Sequence, residues 1–246
     1  MKNYKLLIQY DGSRYRGWQV QNSTDMTIQG KLQNVLEEMS GHMVEVIGSG
    51  RTDAGVHALG QVANVHLREG FTTDEILAYL NRYLPMDIAV LNVEEVEERF
   101  HARFNCIGKT YTYRIHRSNI PNVFERKYLY TFLEDLDIAA MREASRLLMG
   151  THDFAAFCSN KKMKKSTVRT ITDITITERE SELVISYTGD GFLQNMIRIL
   201  TGTLLEVGMG RKLPSDIPLI LEQKSRPDAG YTVPPEGLAL KEVYYN

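Results

Sequence analysis

Residues 48–61 contain the side chains most able to do chemistry in this chain. Four glycines, at positions 48, 50, 55 and 60, surround a single carboxylate, that of Asp53. Glycine lets a ligand come close to the backbone, and a carboxylate on a loop between two strands is placed to meet such a ligand. We therefore interpret Asp53 as the working residue, which acts by itself as a nucleophile or a base.

Two other interpretations of this stretch are disfavoured. Gly48-Ser-Gly50 begins like a dinucleotide-binding motif, but Asp53 stands where the third glycine belongs, and residues 48–61 contain no Gly-Lys-Ser/Thr of a P-loop. A metal site formed by Asp53 and His57 would need further clustered ligands, which the sequence does not supply. On a loop, unlike on a helix, a spacing of four residues does not bring two side chains together, so the spacing of Asp53 and His57 does not support a metal site.

Hydrophobic periodicity predicts the elements that position this loop. An apolar run at 43–47 and an alternating run at 61–67 predict a strand on each side of it. Further strands are predicted at 4–10, 88–96, 109–117, 170–177, 183–188 and 238–245, and helices at 27–39, 73–84, 135 or 137–148, and 192–207. The order β-α-β-β-α-β is thus roughly stated twice, within 1–104 and within 105–246. We predict an α+β fold in which two similar halves share a mostly antiparallel mixed sheet with a central cleft.

Residues 14–19 interleave two arginines with two aromatic residues, among them Trp18, the only tryptophan of the chain. Such interleaving suits stacking on bases beside contacts to phosphates. A single tryptophan is, however, more often an anchor of the core. The sequence leaves both interpretations open.

Composition indicates an ordinary globular chain of 246 residues with 43% hydrophobic content. The apolar stretches are far shorter than the roughly 20 residues that cross a bilayer, and the N-terminus has no signal-peptide core. We therefore expect a soluble cytoplasmic protein with no membrane association. Cys106 and Cys158 are isolated from each other and from any histidine cluster, so we expect buried thiols that form neither a disulfide nor a metal site.

The formal net charge of −2 argues against a polyanionic partner, but the charge is unevenly distributed. Residues 99–130 contain seven basic side chains and one acidic side chain, Glu125. A second basic run contains Lys161, Lys162, Lys164, Lys165 and Arg169 without any acid. A basic face is therefore compatible with the overall charge, although two solvated surface segments would give the same pattern.

A family resemblance rests on motifs in order along nearly the whole chain. Gly-Arg-Thr-Asp-Ala-Gly-Val-His at 50–57, followed by Gly60-Gln61-Val62, resembles the signature loop of the tRNA pseudouridine synthase A family. Seven further motifs also resemble family motifs: Tyr10-Asp-Gly, Tyr15 with Gly17-Trp18-Gln19, Phe100-His-Ala-Arg-Phe104, Lys109-Thr-Tyr-Thr-Tyr113, His152-Asp-Phe154, Met196-Ile-Arg198 and Pro235-Glu-Gly-Leu-Ala-Leu240.

This resemblance implies an isomerase that converts uridine to pseudouridine at positions 38, 39 and 40 of the tRNA anticodon stem-loop. It implies Asp53 as the nucleophile, which attacks either the ribose C1′ or the uracil C6, and it implies no cofactor and no metal. Arg198 is implied as the partner of Asp53. Tyr111 is implied as the tyrosine that stacks on the target uracil and is a candidate to help remove the C5 proton. For Tyr113, on the same strand face, a core role is expected.

The resemblance also implies how the RNA is held. Arg51 matches the arginine that reaches into the stem and holds the flipped nucleotide, and Leu240 resembles the apolar wall under the base. The lysines at 161, 162, 164 and 165, with Arg169, would contact phosphates, and a homodimer is implied by family members of this kind. A noncatalytic RNA-binding module, or a paralogue that acts on another RNA, is the alternative to this assignment.

Overall fold

The computed structural model describes residues 1–68, 70–160 and 165–246. The chain forms two compact units. The first contains Met1–Ile107 together with Ala239–Asn246, and the second contains Gly108–Leu238. No helix in these described ranges is long and apolar enough to cross a membrane.

The first unit is an antiparallel sheet that carries two helices and receives the C-terminal strand. Its elements are β1 (Lys2–Tyr10), α1 (Ile28–Ser40), β2 (Val46–Gly48), β3 (His57–Leu67), α2 (Thr73–Tyr83), β4 (Ile88–Val96) and β10 (Leu238–Tyr244). The strand order is β4-β1-β3-β10, with β2 also paired to β3. All these pairs are antiparallel except β3 with β10, which is parallel.

Local sequence explains these elements. Alternate residues of β1, from Tyr4 to Tyr10, are buried in the core, which is the period of a strand with one packed face. Helix α1 is capped by the Thr27 side chain and ends at Gly41, whose φ of 70° only glycine adopts easily. Helix α2 begins with a capping box between Thr72 and Glu75.

The second unit combines another antiparallel sheet with three helices. Its elements are β5 (Gly108–His116), β6 (Tyr130–Thr131), α3 (Ile138–Leu148), β7 (Gly150–Asp153), β8 (Val168–Arg179), β9 (Glu182–Gly189), α4 (Met196–Gly208) and α5 (Asp216–Gln223). The strand order is β5-β9-β8-β7 and these pairs are antiparallel, while the short β6 pairs with β5 in parallel. Helix α4 is apolar almost all round and nearly all of its residues are buried, as expected for a helix inside a core.

The predicted α+β class with mostly antiparallel strands is confirmed. The four predicted helices are present with boundaries shifted by a few residues, and α5, β6 and β7 were not predicted. Strand β3 begins at His57 instead of residue 61, so the loop that carries Asp53 is shorter than predicted. Neither cysteine forms a disulfide, as expected; Cys158 is buried as predicted, whereas Cys106 is only half-buried.

Candidate active site

The loop that carries Asp53 connects β2 to β3 and contains residues 49–56. Asp53 is half-buried at its centre, between the buried Thr52 and the exposed Ala54. The Val56 N–H donates to the Asp53 carbonyl at 3.1 Å and closes a turn around the carboxylate. Gly55 takes a φ of 79° in this turn, a conformation that glycine adopts without strain. The turn therefore fixes the backbone position from which the Asp53 side chain projects.

The segment that follows β1 holds this loop by backbone contacts. The Trp18 N–H donates to the Thr52 carbonyl at 3.0 Å, and the Gly55 N–H donates to the Tyr15 carbonyl at 3.3 Å. Between these two bonds lies Gly17, with a φ of 96°. A Cβ on Gly17 would lie 2.7 Å from the Thr52 oxygen and 3.2 Å from the Asp53 carbonyl carbon. Only glycine allows this approach.

Glycines next to the loop serve the packing of the chain on itself. A Cβ on Gly48 would lie 2.6 Å from the Trp18 indole, and one on Gly60 would lie 2.6 Å from the Lys241 carbonyl oxygen. The sequence suggests that the four glycines of residues 48–61 make room for a ligand at the backbone. For Gly48 and Gly60 that interpretation is wrong, because the space belongs to protein atoms.

Of the two interpretations that the sequence leaves open for residues 14–19, base stacking by the aromatic rings is excluded. Tyr15 and Trp18 are each only 2% exposed, so neither ring offers a face to a base. The alternative interpretation of Trp18 as a core anchor is confirmed. Tyr15 donates its hydroxyl to Asp87 at 2.6 Å, and Arg14 is ion-paired with the same carboxylate at 2.6 Å. Arg16, which follows Tyr15 in the sequence, is exposed.

Side-chain hydrogen bonds support the loop from the sheet below it. The hydroxyls of Tyr10 and Thr52 are 2.8 Å apart in the core, and burial raises the pKa of Tyr10 to about 12, so this phenol stays protonated. Gln61 accepts from the Ser49 hydroxyl at 2.7 Å and donates to the Gly50 carbonyl at 3.1 Å. The loop is thus anchored at its first two residues and at Thr52.

Arg51 and Leu240 lie in the same unit as Asp53. Arg51 is exposed, and its Nε donates to Gln19 Oε1 at 2.8 Å. Leu240 is fully buried and pairs with Ala58, in the strand that directly follows the loop. His57 is buried and its Nδ1 accepts the Gly12 N–H at 3.0 Å. Among the described residues, no group of three or more His, Cys, Asp or Glu is placed to hold a metal ion.

Tyr111 and Arg198 belong to the second unit. Tyr111 lies on β5, is 8% exposed, and meets the Phe192 ring edge to face with 5.4 Å between centroids. Tyr113, two residues along the same face, is fully buried and donates to the Pro234 carbonyl at 2.7 Å. Its expected core role is confirmed, and burial raises its pKa.

Arg198 is the third residue of α4 and its guanidinium is firmly bound. Its Nε donates to the Val233 carbonyl at 2.6 Å, and its Nη1 donates to Asn195 Oδ1 at 2.8 Å. Asn195 occupies the left-handed N-cap position of α4, with a φ of 58°. A half-buried arginine held at two points is not a side chain that snorkels to solvent.

The predicted basic face is only partly available for phosphates. Lys161, Lys162 and Lys164 lie outside the described residues. Lys165 is exposed, and the guanidinium of Arg169 donates to the carbonyls of Ser166 and Val168 at 3.0 and 2.6 Å. Other arginines of the basic stretch serve the fold: Arg114 pairs with Glu125 and Glu182, and Arg117 donates to backbone carbonyls.

Sequence reasoning missed the residues that hold the candidate site in place. Gly17 and Tyr10 fix the Asp53 loop, and Arg226 braces the segment that binds Arg198. Gly17 and Tyr10 belong to motifs that resemble those of the family, but the resemblance implies no particular role for either residue. Arg226 precedes a proline in a polar stretch, a context that gives no hint of an internal function.

A family model described as tRNA pseudouridine synthase matches residues 6–105 and 144–246 of this chain. The chain belongs to this family. Members of the tRNA pseudouridine synthase family convert uridine to pseudouridine in tRNA, so the protein is an isomerase, as the motifs predicted. The match covers both the loop that carries Asp53 and the helix that carries Arg198.

Relatives in the family are similar over their whole length. The chain is 53% identical over 231 residues to tRNA pseudouridine synthase A of Bacillus sp. (strain KSM-64), which is 94% of this chain and 95% of that protein. It is 47% identical over 246 residues to tRNA pseudouridine synthase A 2 of Clostridium tetani (strain Massachusetts / E88), 100% and 99% of the two chains. Among solved structures, a chain of a Cbf5-Nop10-Gar1 complex is 12% identical with a TM-score of 0.35, over 72% of this chain and 40% of that one.

Proposed function

We propose that this pseudouridine synthase acts on uridines 38, 39 and 40 of the tRNA anticodon stem-loop, with Asp53 as the nucleophile. The observation that carries the proposal is the placement of Asp53. Its carboxylate is half-buried at the centre of a loop whose backbone is fixed by the Tyr15–Trp18 segment and by Gln61. A reacting group needs to be held in one geometry before its substrate arrives.

The reaction rearranges bonds without changing the composition of the nucleotide. The Asp53 carboxylate attacks either the ribose C1′ or the uracil C6, and the bond between N1 and C1′ breaks. The uracil turns while held, C5 bonds to C1′, and the bond between Asp53 and the nucleotide breaks, which regenerates the carboxylate. The proton on C5 is lost while N1 gains one. A carboxylate attacks in its ionised form, and neighbouring groups orient it toward the reacting carbon.

Tyr111 and Arg198 supply the other catalytic side chains in this proposal. Tyr111 stacks on the target uracil, and stacking of this kind contributes roughly 1–3 kcal/mol per base, which offsets much of the cost of flipping the base. Arg198 orients the nucleophile. Its support is that two hydrogen bonds already restrict its guanidinium, one to Val233 and one to Asn195.

RNA binding is assigned to side chains around these groups. Arg51 is exposed two residues before Asp53, where it can enter the stem and hold the flipped nucleotide. Leu240 is fully buried, so its proposed role as the apolar wall under the base requires that it become accessible when RNA binds. Lys165 and Arg169, with Lys161, Lys162 and Lys164, contact phosphates, and binding through such contacts weakens with salt.

We also propose a cytoplasmic homodimer in which residues 1–104 supply the nucleophile and residues 105–246 supply Tyr111 and Arg198. Size-exclusion chromatography with light scattering tests the dimer. The expected mass is twice the 28.1 kDa of one chain, and the mass of a single chain at micromolar concentration would remove the dimer from the proposal.

Pseudouridine mapping on total tRNA, from cells with and without the gene, tests the substrate assignment. We expect pseudouridine at positions 38–40 to disappear with the gene and to return with the wild-type protein. Retained tRNA binding without any pseudouridine would instead indicate a noncatalytic RNA-binding module. Loss of pseudouridine at sites in another RNA would indicate a paralogue with a different substrate.

A further inference from the structure

Arg226 is a charged side chain in the second unit that the reaction does not use and that pairs with no carboxylate within the described ranges. It is half-buried, and burial lowers the pKa of its guanidinium. A cation withdrawn from water costs free energy unless its donors are satisfied. Here they are satisfied by the chain itself, which indicates a structural task at this position.

The donors of Arg226 converge on one short segment. Nη1 donates to the carbonyls of Ala229 and Gly230 at 3.5 and 2.9 Å, and Nη2 donates to the Thr232 hydroxyl at 3.0 Å. A planar guanidinium can reach such acceptors together because its donors form a fixed fork. Residues 229–232 are therefore held by one side chain.

The other side of this segment lies against helix α4. The Gly230 N–H donates to the Thr203 hydroxyl at 2.8 Å, and a Cβ on Gly230 would lie 2.4 Å from the Thr203 nitrogen. A Cβ on Gly202 would lie 1.9 Å from the Tyr231 carbonyl oxygen. Backbone thus meets backbone, and the segment has no room to shift toward the helix.

The end of the segment binds Arg198. The Val233 N–H donates to the Arg198 carbonyl at 3.3 Å, and the Val233 carbonyl accepts from Arg198 Nε at 2.6 Å. Residues 229–233 therefore connect Arg226 to Arg198 over only five positions. The Val233 carbonyl, together with Asn195 Oδ1, restricts the direction in which the guanidinium of Arg198 points.

We infer that Arg226 is a positioning residue for pseudouridine formation, which holds residues 229–233 against α4 so that the Val233 carbonyl aims the Arg198 guanidinium. This inference rests on the proposed function of Arg198. Arg226 acts through the rate of the chemical step and not through affinity for tRNA, because its Nη1 and Nη2 atoms already donate to residues 229–232.

A double-mutant cycle tests the inference. Single-turnover rates with saturating protein, tRNA dissociation constants and melting temperatures are measured for Arg226→Gln, Arg198→Ala and the double variant. We expect Arg226→Gln to slow the reaction roughly 10- to 100-fold, with tRNA affinity within about threefold. When Arg226→Gln is added to Arg198→Ala, the rate should fall by less than about a further threefold, because the effects of coupled residues are not additive.

Two further variants separate positioning from folding. Arg226→Lys should recover part of the rate, since a single ammonium can donate to Gly230 but cannot reproduce the fork. Arg211→Gln is the matched control: Arg211 belongs to the same unit and is ion-paired with Glu134 at 2.8 Å with both side chains exposed, so its rate should stay at the wild-type value. If Arg226→Gln does not fold, Arg226→Lys and Thr232→Val enter the same cycle.

Three outcomes would overturn the inference. A wild-type rate for Arg226→Gln would remove it while leaving the role of Arg198 intact. An equal loss in the wild-type and Arg198→Ala backgrounds would show that Arg226 acts independently of Arg198. A wild-type rate for Arg198→Ala would remove the proposed role of Arg198 first, and the inference would fall with it.

Discussion

The two units hold their functional side chains by different means. In the first unit, Asp53 is placed by backbone hydrogen bonds and by glycine contacts, with Gly17 in direct contact with its peptide. In the second, Arg198 is placed by hydrogen bonds that its own side chain makes to Val233 and Asn195. Asp53 should therefore be sensitive to any added Cβ beneath its loop, whereas Arg198 should be sensitive to side chains that move its acceptors.

Arg198→Ala should give the largest loss among variants that leave Asp53 in place. Removal of a preorganised charged donor typically costs roughly 10²- to 10³-fold in rate, and we expect this range for single-turnover pseudouridine formation. Arg142→Ala is the control, because Arg142 pairs with Glu178 at 3.0 Å on the exposed face of α3. Equal rates for the two variants would show that the second unit contributes no catalytic arginine at position 198.

Gly17→Ala should come next, with a loss on the order of 10- to 100-fold, since a small displacement of a reacting group is costly. Gly41→Ala is the control that separates backbone strain from the contact of an added Cβ with the Asp53 loop. Gly41 also has a positive φ, of 70°, but apart from its chain neighbours no described residue has an atom within 4 Å of its Cβ position. Both variants should lose roughly 1–2 kcal/mol of stability from backbone strain, and only Gly17→Ala should lose activity. Parallel losses in both would contradict placement of Asp53 by this contact.

Periodicity predicted the loop and most of the regular elements, because each depends on residues close in sequence. The pairing of β10 with β3 could not be predicted in this way, since it joins Ala239 to His57 across most of the chain. Helix α5 was missed because it is short and contains Pro218, a residue that a helix tolerates only in its first turn. Trp18 was ambiguous because exposure of a single aromatic depends on tertiary contacts.

The same limit applies to the candidate site. The type and setting of Asp53 were enough to single it out, and the family motifs named Tyr111 and Arg198. The supporting residues Gly17, Tyr10 and Arg226 act through contacts with segments remote in sequence or through the backbone, as with Tyr10 and Thr52. A sequence pattern does not give the distances between such groups, so their roles could be found only from the structure.

Tyr10→Phe should have a smaller effect. It removes the hydrogen bond between the Tyr10 and Thr52 hydroxyls, which should cost about 1 kcal/mol of stability and reduce the rate severalfold. Tyr4→Phe is the matched control on the same strand, because Tyr4 donates to the Phe71 carbonyl at 2.9 Å. Thermal unfolding should show similar losses for both, and a rate loss in Tyr4→Phe as large as that in Tyr10→Phe would contradict local support of the loop.

Arg16→Gln should give the smallest effect, confined to RNA binding. Arg16 is exposed next to Gly17 and, within the described part of the chain, its side chain has no hydrogen-bond or ion-pair partner, whereas Arg14 is paired with Asp87. Loss of one phosphate contact should lower the slope of log affinity against log salt by roughly 0.7–0.9. Arg14→Gln should lower it less, and identical slopes for both variants and the wild type would remove phosphate binding at this edge of the loop.

The most direct test of the account is the single-turnover rate of pseudouridine formation by Asp53→Asn, with tRNA affinity measured on the same samples. Asparagine keeps the size of the side chain and removes its charge and nucleophilicity. The account predicts a rate at least about a thousandfold below wild type and a tRNA dissociation constant within about threefold. Asp25→Asn, which removes only an exposed ion pair with Lys31, should match the wild type. An Asp53→Asn rate within tenfold of wild type would contradict the assignment of Asp53 as the nucleophile.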